Sequence, residues 1–151
     1  MPTLDDILRA SGLSIIDDEQ LGRFIGPTGQ YDSWSLSGKV DFPFQKDVPL
    51  TVELTQKRKR LPRSMPKNVH WLLENLGEIW NAAAPVINTT IESEQIWTPP
   101  HFSLGHFWAF IPDAPLNAAE WRVEIEPADM IVSFEVVFRG LAIIRHAALG
   151  N

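Results

Sequence analysis

Two histidines, His101 and His106, stand among Trp97, Phe102, Phe107 and Trp108, and this cluster is where metal or ligand chemistry would sit. As metal ligands they would need at least a third donor, such as Glu94 or Asp113. A His-x4-His spacing does not give a facing pair on a helix, and Pro99 and Pro100 followed by an apolar run point to loop and strand instead. The pair therefore reads as two histidines framing an aromatic-rich loop, one of them held in the core, with no metal and no cofactor expected. His70 and His146 stand apart, and Ser103 and Ser133 lack the glycine-flanked turn that exposes a nucleophile, so no hydrolytic triad is supported. Glu92 with Glu94, and Glu124 with Glu126, would each share a face of an extended backbone, where two acids can share a proton. The second pair is more simply the solvent face of an alternating strand, as is Glu135 within FEVVF. Gly26-x-x-Gly29 is a turn without the helix, lysine and hydroxyl of a phosphate loop. The chain is read as not an enzyme.

Charge is distributed unevenly. The net charge is -6, yet six of the 13 basic residues, Lys57, Arg58, Lys59, Arg60, Arg63 and Lys67, fall in one acid-free run; the other seven against 19 acids leave -12 for the rest. So acidic a body repels polyanions over most of its surface, which disfavours general nucleic-acid binding. The basic run reads as a solvated connector that still offers contacts to a phosphate or an acidic partner. There is no cysteine, which excludes disulfides and thiolate chemistry. The N-terminus carries acids where a signal peptide needs positive charge, and no apolar stretch approaches the roughly 20 residues of a membrane span, so a cytoplasmic protein is expected.

The elements that must position these groups are written in periodicity. Thr3 as N-cap, Asp5 and Asp6 in the first turn and Gly12 as a stop predict a short helix over residues 4 to 10, with Leu4, Ile7 and Leu8 buried. A short strand is predicted around Arg23 to Ile25, before the Gly26-Pro27-Thr28-Gly29 turn. Trp34, Leu36, Val40 and Phe42 alternate on one face, as do Val48, Leu50, Val52 and Leu54, which predicts a hairpin with one buried face. Pro49 has no amide to donate, so the second strand should be an edge strand or begin just after it. Val69, Leu72, Leu73, Leu76, Ile79, Trp80 and Ala83 recur at helical spacing, giving one long helix to about Ala84 that Pro85 should kink or end. Alternation returns in Leu104 to Ile111, in Trp121, Val123 and Ile125, in Met130 to Phe138 and in Leu141 to Ile144, which makes three or four more strands.

A chain of 151 residues with 44% hydrophobic content is read as one globular domain over residues 1–151. The expected fold is α+β in two layers, an antiparallel sheet of about five or six strands with one long helix packed on one face.

The run WSLSGKVDFPFQKDVPLTVE, the helix containing WLLENLGEIWNAA and the strand IVSFEVVF resemble a family of uncharacterised small bacterial α+β domains over residues 31–145. Members are found beside polymorphic toxins and are thought to include immunity proteins. Where those domains continue into a Trp-Asp-x-Glu-His-like segment, this chain has Phe138-Arg139-Gly140-Leu141, and no functional residue is carried across. The resemblance implies an immunity-type protein that binds and occludes a cognate toxin or effector. Tryptophan and arginine are favoured interface anchors, so Trp97, His101 and Phe102 in the Pro-rich loop, with Arg58 and Arg60 in the basic run, are the candidate partner-binding residues. Two other readings are kept. One is a small-ligand-binding domain or enzyme with a pocket between helix and sheet, using His101, His106 and a carboxylate; the other is a structural subunit of a phage or secretion assembly that joins through a strand edge.

Overall fold

The computed structural model describes residues 1–3, 6, 10, 14–26, 33–99 and 103–150. Eight strands form one sheet in chain order: β1 (Ser14–Asp18), β2 (Gly22–Gly26), β3 (Ser35–Phe42), β4 (Gln45–Leu54), β5 (Leu104–Ile111), β6 (Glu120–Pro127), β7 (Ser133–Arg139) and β8 (Ala142–Leu149). Two helices, α1 (Ser64–Glu74) and α2 (Leu76–Ser93), lie in the connection between β4 and β5. Neighbouring strands are antiparallel except β4 and β5, which run parallel from Leu50 opposite Phe107 to Leu54 opposite Ile111. This corrects the expected antiparallel sheet of five or six strands with one long helix. A helical crossover between β4 and β5 brings the chain back to the end where β4 began, and a strand started there runs parallel to its neighbour.

The expected alternation is what packs. Trp34, Leu36, Phe42, Val48, Leu50, Val52 and Leu54 are buried together with Phe107, Ala109, Ile111, Trp121, Val123, Ile125, Phe134, Val136 and Phe138, all in one core. Into it the helices set Met65, Val69, Leu72, Leu76, Ile79, Ala83 and Ile87. Both helices therefore share one face of the sheet.

The helical stripe is continuous in sequence, but the helix breaks at Asn75 rather than at Pro85. Asn75 sits at φ -111°, ψ 13°, and its Nδ2 donates to the Trp71 carbonyl at 2.7 Å while its amide is shared between the Trp71 and Leu72 carbonyls. The side chain thus shares the carbonyl that its own amide also bonds, and the forked amide bond is the kind found where a helix ends. Pro85 lies inside α2 on its exposed side, where packing of Ile79, Ala83 and Ile87 holds the helix despite the missing amide. Pro49 is likewise accommodated inside β4: the ladder to β5 begins only at Leu50, so at Pro49 the strand pairs with β3 alone, opposite Lys39. Β4 is an interior strand all the same, which corrects the edge-strand expectation. The N-terminal helix falls mostly outside the described residues. Thr3 and Asp6 do exchange reciprocal bonds, the Thr3 amide to Asp6 Oδ2 at 3.0 Å and the Asp6 amide to Thr3 Oγ1 at 3.1 Å, in the manner of a capping box.

One close approach fixes a glycine. Gly26 lies under Trp34, and a Cβ built there would stand 2.4 Å from the indole ring. The Trp34 indole N–H in turn donates to the Arg58 carbonyl at 3.0 Å, tying the basic run to the core. No helix among the described residues is long and apolar enough to cross a membrane.

Candidate functional site

Because β4 and β5 are parallel, they finish at the same end of the sheet. That end carries the basic run, the start of α1, the β5–β6 loop and the β7–β8 turn, held together by the Thr55 amide on the Ile111 carbonyl and the Gly140 amide on the Leu116 carbonyl, both 2.9 Å. The opposite end carries the β1–β2, β3–β4 and β6–β7 turns and the segment after α2; there Gln45 bonds the Leu104 amide and carbonyl at 2.8 and 2.9 Å. Lys57, Arg58, Lys59, Arg60 and Arg63 gather at the first end, and Asp18, Glu19, Asp47, Glu94 and Asp129 at the second.

Arg58 is largely committed to structure. Its Nε donates to Asp113 Oδ2 at 3.1 Å and its Nη1 to the Lys57 carbonyl at 2.9 Å, clamping the basic run to the β5–β6 loop. The Ser64 hydroxyl on Asp113 Oδ1 at 2.5 Å, and then Arg58, hold the Asp113 carboxyl below its usual range. Arg60 is exposed. Trp97 is 70% exposed and lies beside the β6–β7 turn, at the other end of the molecule. The 8 residues of β6 separate the two ends by roughly 25 Å at about 3.3 Å per residue. Arg58 and Arg60 are therefore not brought together with Trp97. His101 and Phe102 lie outside the described residues.

His106 is on the sheet face turned away from both helices, so it lines no pocket between helix and sheet. Its Nε2 is 2.9 Å from Thr51 Oγ1, and its ring stacks on Trp108 with centroids 4.2 Å apart. Burial pushes its pKa below the ordinary 6.5, with the Glu126 carboxylate opposing. On the same face Arg122 covers the Phe110 ring at 4.0 Å, and Glu124 stands opposite Glu135. Glu92 and Glu94 do not share an extended backbone: Glu92 is in the last turn of α2 and Glu94 caps it. Among the described residues no group of three or more His, Asp and Glu side chains is placed to hold a metal.

What gathers around Trp97 is a surface cleft of about 440 Å³ lined by Glu94, Gln95, Ile96, Trp97, Asp129, Met130, Ile131 and Val132. Ile131 is 76% exposed, more than any other large hydrophobic side chain among the described residues except Met1. Sequence reasoning found Trp97 but missed its neighbours. Periodicity assigned Met130 and Val132 to the strand that follows, whereas β7 begins at Ser133 and Asp129 takes φ 62° in a turn. A signal was present: an Ala-Asp turn followed by two adjacent apolar residues, Met130 and Ile131, breaks the alternation. No protein-family model, curated protein or solved structure matches the chain.

Proposed function

We propose that this chain is an immunity-type protein that binds a cognate bacterial toxin or effector in the cytoplasm and blocks its active cleft by steric occlusion. The observation that carries the reading is the exposed pair Trp97 and Ile131 around the 440 Å³ cleft. Large apolar side chains exposed side by side mark interaction sites, and tryptophan is the most frequent energetic anchor in protein interfaces. The resemblance of residues 31–145 to domains found beside polymorphic toxins agrees with it. The acids collected at the same end would also speed association with a positively charged partner.

The test is co-expression with the product of the adjacent gene. Growth should be rescued by the intact chain and not by Trp97→Ala, which should fold normally because its ring is 70% exposed. Toxicity that persists with the intact chain, or rescue that Trp97→Ala leaves undiminished, refutes the proposal.

A second reading, a subunit that assembles through a strand edge, is favoured by β8. It ends the sheet, its outer backbone edge pairs with no described strand, and the strand carries Ile144 at 43% exposure with Arg145 as its one permanent charge. Oligomers that grow with concentration in the absence of any partner would favour it.

A further inference from the structure

The cleft at Trp97 is negative as well as apolar. Glu94 and Asp129 both line it, and no cation among the described residues pairs with either carboxylate. The C-terminus of α2 adds to them, since this helix of 18 residues ends at Ser93 and Glu94 with no basic residue in its last turn. A helix C-terminus carries roughly half a negative charge, which a basic side chain normally offsets. Around these charges the cleft is apolar, with Ile96, Met130, Ile131 and Val132 beside the Trp97 indole.

This combination selects among partners. A purely apolar segment would cover Glu94 and Asp129 and leave two carboxylates desolvated and unpaired, which is strongly unfavourable. An acidic segment would add like charge. A cationic side chain with an apolar stem meets both demands, because its methylenes lie against apolar walls while its head reaches the carboxylates. Arginine fits better than lysine: its planar guanidinium stacks on an indole face, and its fork of donors pairs with carboxylate oxygens in a bidentate way, whereas an ammonium is a strongly hydrated point charge.

We propose that the partner inserts an arginine side chain into this cleft, its guanidinium stacked on Trp97 and paired with Glu94 and Asp129. The proposal rests on the reading that the partner docks at Trp97, and it names the chemistry that docks. The basic run at the far end takes no part in this contact.

The probe is a set of blocked pentapeptides, Gly-Leu-Arg-Leu-Gly and the same peptide with Lys or Gln at the centre, titrated into the full chain. The readout is the indole N–H resonance of Trp97, assigned by its loss in Trp97→Phe. The Arg peptide should shift that resonance in a saturable way, with affinity about fivefold or more above the Lys and Gln peptides. Glu94→Gln with Asp129→Asn should weaken the Arg peptide about tenfold and leave the Gln peptide unchanged, and added salt should act in the same direction. Equal binding of the Arg and Gln peptides overturns the proposal, as does a Trp97 resonance that stays still up to about 10 mM Arg peptide, a limit far weaker than ordinary recognition. So does an unchanged titration in the double variant. The outcomes separate from those of co-expression. Rescue that needs Trp97 but not Glu94 and Asp129 leaves the docking surface standing without the arginine, and a selective Arg peptide without rescue leaves the cleft's chemistry standing without the toxin.

Discussion

Replacing Asn68 by alanine removes the side chain that holds the β5–β6 loop against α1. Asn68 is 4% exposed; its Nδ2 donates to the Ala114 carbonyl at 2.8 Å and to the Pro112 carbonyl at 3.3 Å, and its Oδ1 accepts from the Leu116 amide at 3.4 Å. Each ordinary bond contributes about 1 kcal/mol net, and a buried group left without its partner adds about 1–3 kcal/mol. The carbonyls belong to half-buried residues and regain water in part, and the Leu116 bond is long. The sum is therefore set by the 2.8 Å bond and the buried Leu116 amide, and comes to about 2–3 kcal/mol. For a chain of this size that lowers Tm by about 5–10 °C. Urea unfolding should show a lower midpoint at unchanged slope, and hydrogen exchange should quicken at the Leu116 amide before it does in the β3 and β4 core. Asn68→Asp should be worse than alanine, since it sets a carboxylate against two carbonyl oxygens. A loss below about 0.5 kcal/mol, the range of ordinary surface changes, would refute the reasoning.

Gly26→Ala should destabilise by about 1–3 kcal/mol, because its Cβ falls 2.4 Å from a Trp34 ring that is 1% exposed and has no free space to yield; denaturant unfolding and a shifted Trp34 indole N–H signal check it. Pro85→Ala should stabilise by about 1–3 kcal/mol, since an exposed interior helix position regains an amide donor and helix propensity; a lower urea midpoint would contradict the account of α2. His106 binds its proton less readily folded than unfolded, so the unfolded chain takes up more protons below about pH 6.5 and stability should fall as pH drops through that value, levelling off once the folded ring protonates. His106→Gln should flatten this part of the urea midpoint against pH, and an unchanged slope between pH 7 and 5 would exclude His106 as its source.

Legibility followed how much of each element is buried. The β3–β4 hairpin was readable because Leu36, Leu50, Val52 and Leu54 alternate against one core, and period-two burial is what sequence patterns report. Β1 was missed for the converse reason: SIIDD is mostly exposed, does not alternate, and is held by backbone pairing of Ser14 to Asp18 with Gly26 to Gly22. The break at Asn75 was hidden because position 75 falls off the apolar stripe, so Leu72, Leu76 and Ile79 continue in phase across it. The parallel pairing of β4 with β5 follows from the helical crossover between them, which the alternation within either strand does not report.

The site was legible only one residue at a time. Trp97 could be singled out as an aromatic in a Pro-rich loop, but its partners Asp129, Met130 and Ile131 are joined to it by the β6–β7 turn and not by proximity in sequence. Arg58 and Arg60 were chosen for a charge run, and a run says nothing about where in space it lies. The chain leaves the end of β4 through the basic run and returns to the opposite end before β5, so the crossover that makes the sheet mixed also separates cations from acids along the strands. On the proposed reading, a partner drawn by the acids would be oriented as it arrives, with its positive side toward Trp97 and any negative side toward the basic run. That orientation needs no further contact, because the field of opposed charges about 25 Å apart acts before surfaces meet, and it weakens as salt shortens the Debye length.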